Sequence, residues 1–166
     1  MTAAPKAFIR TLAACALLLA ACAVQADFSG KVIRIIDGDT VDILVDREPM
    51  RIRLAQIDAP EKRQAFGTKS RHALAAMVNQ KTATVITAGT DRYGRTIGTV
   101  LVDGRDINRA MVGQGMAWVY RQHLNDFSLI AVETKARENR AGLWADAEPV
   151  APWVWRASAR NESNAR

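Results

Sequence analysis

The alternation of apolar and polar residues changes its period along the chain. Between residues 29 and 55, β-branched residues recur at every second position, interrupted by polar turns at 37–39 and 46–49. This pattern predicts three strands joined by tight turns. The segments 82–88 and 96–102 return to the same period and predict two further strands.

Helical spacing appears in three other places. In 66–79, apolar and small residues fall on one side of a helix, and a second, short helix is expected to begin after Asp106 as its N-cap. A third helix is predicted over 125–140, with Gly142 as its C-terminal cap. The order of elements predicts a small, β-rich α+β domain built on a closed or nearly closed barrel.

The N-terminal segment 1–26 has the order of a secretory signal. A cationic start with Lys6 and Arg10 precedes an uncharged apolar stretch at 11–24 and small residues that lead to Ala26. The apolar stretch is shorter than the roughly 18 residues of a membrane-spanning helix, so a retained transmembrane anchor is the less favoured interpretation. We therefore expect export, to the periplasm or the medium, with cleavage after Ala26.

A second processing route starts from the same segment. Residues 19–22 resemble a bacterial lipobox, in which Cys22 would be acylated and would anchor the protein to a membrane lipid. The alternative is that Cys22 is only a small apolar residue of the signal core. In either case 27–156 is expected to be the folded domain, and 157–166 is predicted to be a disordered tail because alanine is its only apolar residue.

Composition excludes several kinds of site. The chain beyond Ala26 has no cysteine, which excludes disulfides and thiolate chemistry there, and its two histidines, His72 and His123, are not spaced as metal ligands or as a nucleophile system. The full chain carries a formal charge of +6. The residues that follow the signal segment carry +4, since Lys6 and Arg10 are its only charged residues. This modest positive charge has two equally good explanations, a polyanionic partner or simply a soluble surface with a positive bias.

Charged residues are concentrated in three short segments, 36–40, 51–61 and 91–95. Taken singly, each could be only a turn or a strand end, because Asp bonds its own backbone and Gly takes positive φ. Together and in this order, Asp-Gly-Asp-Thr, Arg-Leu-x-x-x-Asp-x-Pro-Glu and Asp-x-Tyr-Gly-Arg closely resemble the staphylococcal nuclease family. The similarity extends from about Gly30 to Trp144.

The resemblance implies a fold, an activity and a cofactor. It implies a five-stranded OB-fold barrel with three α-helices, which agrees with the elements predicted above. It also implies a Ca²⁺-dependent endonuclease that hydrolyses DNA and RNA, preferably single-stranded or locally melted, with little sequence specificity and with 3′-phosphorylated products. No obligate partner protein is indicated, and a monomer is expected.

Residue by residue, the resemblance assigns the Ca²⁺ ligands and the group that acts on water. Asp39 and Asp58 would bind the ion through their carboxylates, and Ala59 would bind it through its backbone carbonyl. These are oxygen ligands of the kind that Ca²⁺ prefers. Glu61 would orient or deprotonate the attacking water.

The resemblance also assigns the groups that bind the substrate. Arg53 and Arg95 would contact the scissile phosphate, where planar guanidinium groups can bind developing negative charge bidentately. Arg92 and Tyr93 would hold the terminal phosphate or a nearby nucleotide. Tyr120 would either stack on a nucleotide or pack beside Trp118.

Two features leave room for another interpretation. The loop 62–66 before the first helix is shorter than in the family's prototype, and this loop would border the substrate groove. Domains of this kind that have lost catalytic residues serve as non-enzymatic binding modules. Here the predicted catalytic and metal-binding side chains are all retained, which favours the enzyme.

Overall fold

The computed structural model describes residues 27–164. The predicted signal segment, its cleavage site and the candidate acylated Cys22 lie outside that range. Within it, no helix is both long enough and apolar enough to cross a membrane.

The described chain contains eight strands and four α-helices, which are numbered here in chain order. The strands are β1 (Phe28–Ile35), β2 (Thr40–Val45), β3 (Glu48–Leu54), β4 (Ile57–Asp58), β5 (Thr82–Thr90), β6 (Thr96–Val102), β7 (Arg105–Asp106) and β8 (Trp118–Val119). The α-helices are α1 (Gly67–Val78), α2 (Ile107–Gly113), α3 (Ser128–Glu138) and α4 (Pro152–Asn164), and single 3₁₀ turns occupy Arg121–His123 and Gly142–Ala145.

Five strands form a closed barrel in the order β3-β2-β1-β5-β6, and β3 pairs with β6 to complete it. The neighbours within that order are antiparallel, whereas the closing pair is parallel. Register shifts in β1 and in β5 increase the local bend of these strands, as closure of a small barrel requires. The predicted β-rich α+β fold with a five-stranded barrel is confirmed.

Every second side chain of the barrel strands points inward, and α1, α2 and α3 bury apolar residues against one core. Its largest fully buried side chains include Ile43, Ile52, Leu54, Leu74 and Met111. The strand ends and turns that carry the charged segments are therefore held by a rigid support.

The helix ends agree with the sequence in one case and differ in another. Asp106 caps α2 as predicted, because its side chain accepts a hydrogen bond from the Arg109 backbone N–H at 2.9 Å. The predicted C-terminal cap at Gly142 is wrong. α3 ends at Glu138, and Arg140 takes the left-handed conformation at φ 49° while the backbone N–H of the following residue bonds to the Ala136 carbonyl at 2.9 Å.

The C-terminal residues correct two further predictions, the helix count of three and the disordered tail at 157–166. α4 extends to Asn164 and is a fourth α-helix. Pro152 is well suited to the first helical position, and its preceding carbonyl, on Ala151, accepts hydrogen bonds from the first turn. Because alanine is the only apolar residue type in 156–164, and 157–161 are exposed, hydrophobic periodicity does not reveal the helix.

Candidate active site

One cleft of about 670 Å³ lies across the barrel end where the charged segments meet. It brings together all the residues predicted for the site. They are Asp39, Arg53, Asp58, Ala59, Glu61, Arg92, Tyr93, Arg95 and Tyr120.

The turn between β1 and β2 fixes the position of Asp39. The Asp39 backbone N–H donates to the Asp37 carboxylate at 3.0 Å, and the Thr40 hydroxyl donates to the Asp39 carboxylate at 3.0 Å. Gly38 is required by close packing, because a Cβ there would lie 2.0 Å from the Ser70 hydroxyl on α1. The Asp-Gly-Asp segment is thus a turn that is clamped between barrel and helix.

Arg53, at the end of β3, bridges the two buried carboxylates. Its guanidinium lies 3.2 Å from the Asp39 carboxylate and donates to Asp58 at 3.0 Å and to the Leu54 carbonyl at 2.9 Å. The same Asp39 oxygen, Oδ2, also accepts from the Ala59 backbone N–H at 2.7 Å. Barrel strand, turn and the short strand β4 are therefore tied together at this point.

The carboxylates form a region of concentrated negative charge. Burial, together with the nearby charge of Asp39, raises the pKa of Asp37 to about 6. Burial also raises the pKa of Asp58, and the charge of Asp39 acts in the same direction, against the effect of the arginine partners. Acids so close together are stabilised by a bound cation.

The available ligands fit a hard divalent ion. Within residues 27–164, no three His, Cys, Asp or Glu side chains are grouped as a metal site. Asp39 and Asp58 line the cleft beside Ala59, so two carboxylates and a backbone carbonyl are at hand. A donor set made only of oxygen suits Ca²⁺, which also accepts water as a ligand.

Glu61 is held by the short loop before α1. Its backbone N–H donates to the Gln64 side chain at 3.0 Å, and its carbonyl accepts from the Gln64 N–H at 2.8 Å. The loop returns so closely that a Cβ on Gly67 would lie 2.0 Å from the Glu61 carbonyl. The short loop between Glu61 and α1 is therefore sufficient to place Glu61 at the cleft, and a longer loop is not needed.

The turn between β5 and β6 presents the third charged segment. Asp91 accepts hydrogen bonds from the backbone N–H groups of Tyr93 and Arg95, and from the Arg95 side chain at 2.7 Å. Burial alone would raise the pKa of Asp91, but these bonds, chiefly with Arg95, hold it below its usual value. Tyr93 is 73% exposed, with the guanidinium groups of Arg92 and Arg95 over its ring.

Tyr120, which follows β8, also lines the cleft. Its ring packs near His123 and near Trp153 of α4, and its hydroxyl is 2.7 Å from the Gln122 side chain. Trp118 packs instead on Trp144 and Trp153. Among the described residues, the tryptophan that contacts the Tyr120 ring is therefore Trp153 and not the expected Trp118, and Tyr120 also lines the cleft.

Residues 51–146 match the family model described as staphylococcal nuclease homologue. The chain belongs to this family. The protein ParB of Escherichia coli is 49% identical, over 93% of this chain and 94% of that protein. The micrococcal nuclease of Shigella flexneri is 41% identical, over 95% of this chain and 97% of that protein. An uncharacterized endonuclease of Escherichia coli O157:H7 is 46% identical, over 79% and 86%.

Membership of the staphylococcal nuclease family confirms the predicted family and the enzyme class, a nuclease. The matched stretch contains Arg53, Asp58, Glu61 and Arg95, and Asp39 lies before its first residue. The barrel places Asp39 beside them nonetheless, through the bonds described above.

Outside the stretch matched by the nuclease family, the cleft contains a residue that no sequence motif had indicated. Arg156, on α4, donates to both carboxylate oxygens of Asp58, at 3.2 and 2.7 Å, and to Glu61 at 2.7 Å. Arg160, one helical turn later, also lines the cleft. Arg156 and Arg160 follow Trp153 at helical spacing, so all three lie on one face of α4. This spacing is the only sequence signal for the two arginines, and it has meaning only once the segment is known to be helical.

Proposed function

We propose that this nuclease is a Ca²⁺-dependent endonuclease that hydrolyses DNA and RNA with little sequence specificity. The observation that carries the proposal is the convergence of every predicted site residue on one cleft. The lining groups are suited to phosphate and to a divalent cation, and an open groove along a β-barrel can bind single-stranded or locally melted nucleic acid through its backbone.

In this proposal Asp39, Asp58 and the Ala59 carbonyl hold the cation. When bound, Ca²⁺ supplies positive charge that polarises a phosphoryl oxygen. Arg53 and Arg95 bind the remaining phosphoryl oxygens, where charge increases in the transition state.

Glu61 acts on the water that attacks phosphorus. It accepts a proton from the water while the new P–O bond forms, and the bond between phosphorus and the 5′ oxygen breaks. The leaving oxygen takes a proton from solvent water and becomes a 5′ hydroxyl, and Glu61 releases its proton to solvent. The other fragment ends in a 3′ phosphate.

Arg92, Tyr93 and Tyr120 are the proposed nucleotide contacts. Tyr93, whose side chain is exposed, and Tyr120 both line the cleft, where each can contact a nucleotide beside the scissile bond. Export, as a monomer released after Ala26 or anchored through Cys22, completes the proposal.

Glu61→Gln tests the chemistry. We expect the variant to lose about 10²- to 10⁴-fold in kcat on single-stranded DNA in Ca²⁺, while its DNA affinity changes little. Glu48→Gln, at an exposed position of β3, is the matched control and should cut like the wild type. Equal rates for Glu61→Gln and wild type would remove Glu61 from the mechanism.

The products and the metal requirement are read from the same reaction. Cleavage should stop in chelator, and the new 3′ ends should support polymerase extension only after phosphatase treatment. RNA should be cut as well. Wild-type protein that binds DNA but leaves it intact would instead indicate a non-enzymatic binding module.

A further inference from the structure

The C-terminal helix reaches the centre of the cleft through one side chain. The Arg156 guanidinium binds Asp58 through both of its terminal nitrogens, and one of these nitrogens also reaches Glu61. Because an arginine side chain stays protonated in proteins, Arg156 carries its full charge at every pH at which the protein would work.

The contact uses the atoms that the proposed function needs. Asp58 Oδ1 is shared between Arg53 at 3.0 Å and Arg156 at 3.2 Å, and Oδ2 accepts from Arg156 at 2.7 Å. The Asp58 side chain is only 3% exposed, so it has little room to offer these oxygens to a second partner from another direction. A cation that binds Asp58 must share or displace the Arg156 guanidinium.

The same guanidinium also restrains the group proposed to act on water. Arg156 donates to a Glu61 carboxylate oxygen at 2.7 Å, so that oxygen is already engaged by a charge-assisted hydrogen bond. Because one side chain contacts both Asp58 and Glu61, a single movement of Arg156 would free a metal ligand and the proposed base together.

The first turn of α4 is fixed in place, while residues 157–161 are exposed. The Val150 carbonyl, just before the helix, accepts a hydrogen bond from the Gln64 side chain at 2.6 Å, which ties α4 to the short loop after Glu61. Trp153 packs on Trp118, with ring centroids 5.6 Å apart. Arg156 is presented to the acids from this base, and its side chain is still 40% exposed and able to move.

We propose that Arg156 is an internal counter-ion that competes with the divalent cation for Asp58 and Glu61, so that α4 sets the cation affinity of the site. The proposal rests on the proposed function, in which Asp58 is a Ca²⁺ ligand. Arg156 is a positioning residue, since it acts through Asp58 and Glu61. Because the cation and the guanidinium repel each other, the presence of Arg156 lowers the affinity of the site for the cation.

Calorimetric titration of the full exported protein with Ca²⁺ alone tests this competition. Arg156→Gln removes the charge and the two-pronged contact, and we expect its Ca²⁺ Kd to fall about 3- to 10-fold below that of the wild type. Arg156→Lys keeps the charge but cannot form the fork, so its Kd should lie between the two.

Arg160→Gln is the matched control, because it removes the same charge from the same cleft-lining side of α4. Its Ca²⁺ Kd should stay within about 2-fold of the wild type. Circular dichroism and thermal unfolding of each variant confirm that the fold is retained, and Arg156→Lys keeps the test valid if Arg156→Gln does not fold.

Three outcomes would overturn the proposal. An unchanged or higher Kd in Arg156→Gln would mean that Arg156 supports the site instead of competing for it. An equal increase of Ca²⁺ affinity in Arg160→Gln would mean that the loss of one positive charge near the cleft, and not the contact of Arg156 with Asp58 and Glu61, causes the effect. Absence of Ca²⁺ binding in wild type and in both Arg156 variants would mean that the protein has no Ca²⁺ site, which would also contradict the metal requirement in the proposed function.

Discussion

Glu133 is a charged residue that the domain buries completely. It lies on the face of α3 that packs against β8, and it is 2% exposed. Its carboxylate accepts hydrogen bonds from the Val119 backbone N–H at 2.8 Å and from Arg121 at 2.7 Å, and Arg137 lies 3.4 Å away. The carboxylate therefore satisfies a buried backbone donor and the charges of two arginines at once.

Glu133→Ala should destabilise the fold by about 2 to 4 kcal/mol, because it leaves the Val119 N–H unpaired and a cavity beside it. The two arginines are half-exposed and can regain water, which limits the loss. The free energy of unfolding in urea is the measurement, and Glu138→Ala, at an exposed position of the same helix, is the control. A loss below about 0.5 kcal/mol, the level of an ordinary surface change, would contradict this account of Glu133.

Single residues differ in how far the sequence reveals their role. Asp39, Asp58 and Glu61 could be recognised because each stands in a short segment with a characteristic neighbour sequence. Glu133 and Arg156 could not, because their positions depend on partners that other elements supply. A charged residue on a helix looks the same in sequence whether it faces water or a buried partner.

At the scale of elements, the C-terminal part of the domain is joined to α2 by a close contact between two glycines. Gly142 has φ +55°, and a Cβ on it would lie 2.3 Å from the Gly115 carbonyl. The same carbonyl accepts a hydrogen bond from the Leu143 N–H at 2.8 Å. This contact holds the 3₁₀ turn that carries Trp144, which is 6% exposed.

Gly142→Ala should cost about 3 kcal/mol of stability, from both the left-handed backbone and the steric clash. Gly104→Ala separates the two causes. Gly104 has φ +74°, but a Cβ added to it would meet no atom within 4 Å, so only the backbone cost of about 1 kcal/mol applies. Urea unfolding followed by tryptophan fluorescence measures both variants, and equal losses would show that the Gly115 contact adds nothing.

Elements that are determined by their local sequence could be predicted, and elements that depend on tertiary contacts could not. The barrel strands follow from β-branched alternation, and the start of α2 follows from the Asp106 cap. The end of α3 uses Arg140 in a left-handed conformation, which a search for glycine does not find. The large apolar residues of α4 are confined to its first turn, so its place in the domain depends on that turn and on Arg156.

At the scale of the whole molecule, the cleft is nearly balanced in charge. Its lining includes the five arginines Arg53, Arg92, Arg95, Arg156 and Arg160, and the five acids Asp37, Asp39, Asp58, Glu61 and Asp91. A polyanion would therefore find little net attraction in the cleft by itself. A bound divalent cation would make it electropositive, which couples the proposed cofactor to substrate binding.

We expect Ca²⁺ to strengthen the binding of single-stranded DNA about 10-fold or more, measured by fluorescence anisotropy with the Glu61→Gln variant so that the substrate is not consumed. The affinity should fall with rising salt, as each phosphate contact releases counter-ions. Adding Arg92→Ala should reduce the slope of log affinity against log salt by about 0.7, the value for one phosphate contact on a single strand.

Adding Arg47→Ala instead provides the control, since Arg47 is exposed in the turn between β2 and β3 and does not line the cleft. Its salt slope should match that of Glu61→Gln alone. Equal DNA affinity in Ca²⁺ and in chelator would mean that charge outside the cleft dominates binding. The net charge of +4 on residues 27–166, spread over the surface, would then be the source of attraction, and Arg47→Ala would lower the slope as much as Arg92→Ala.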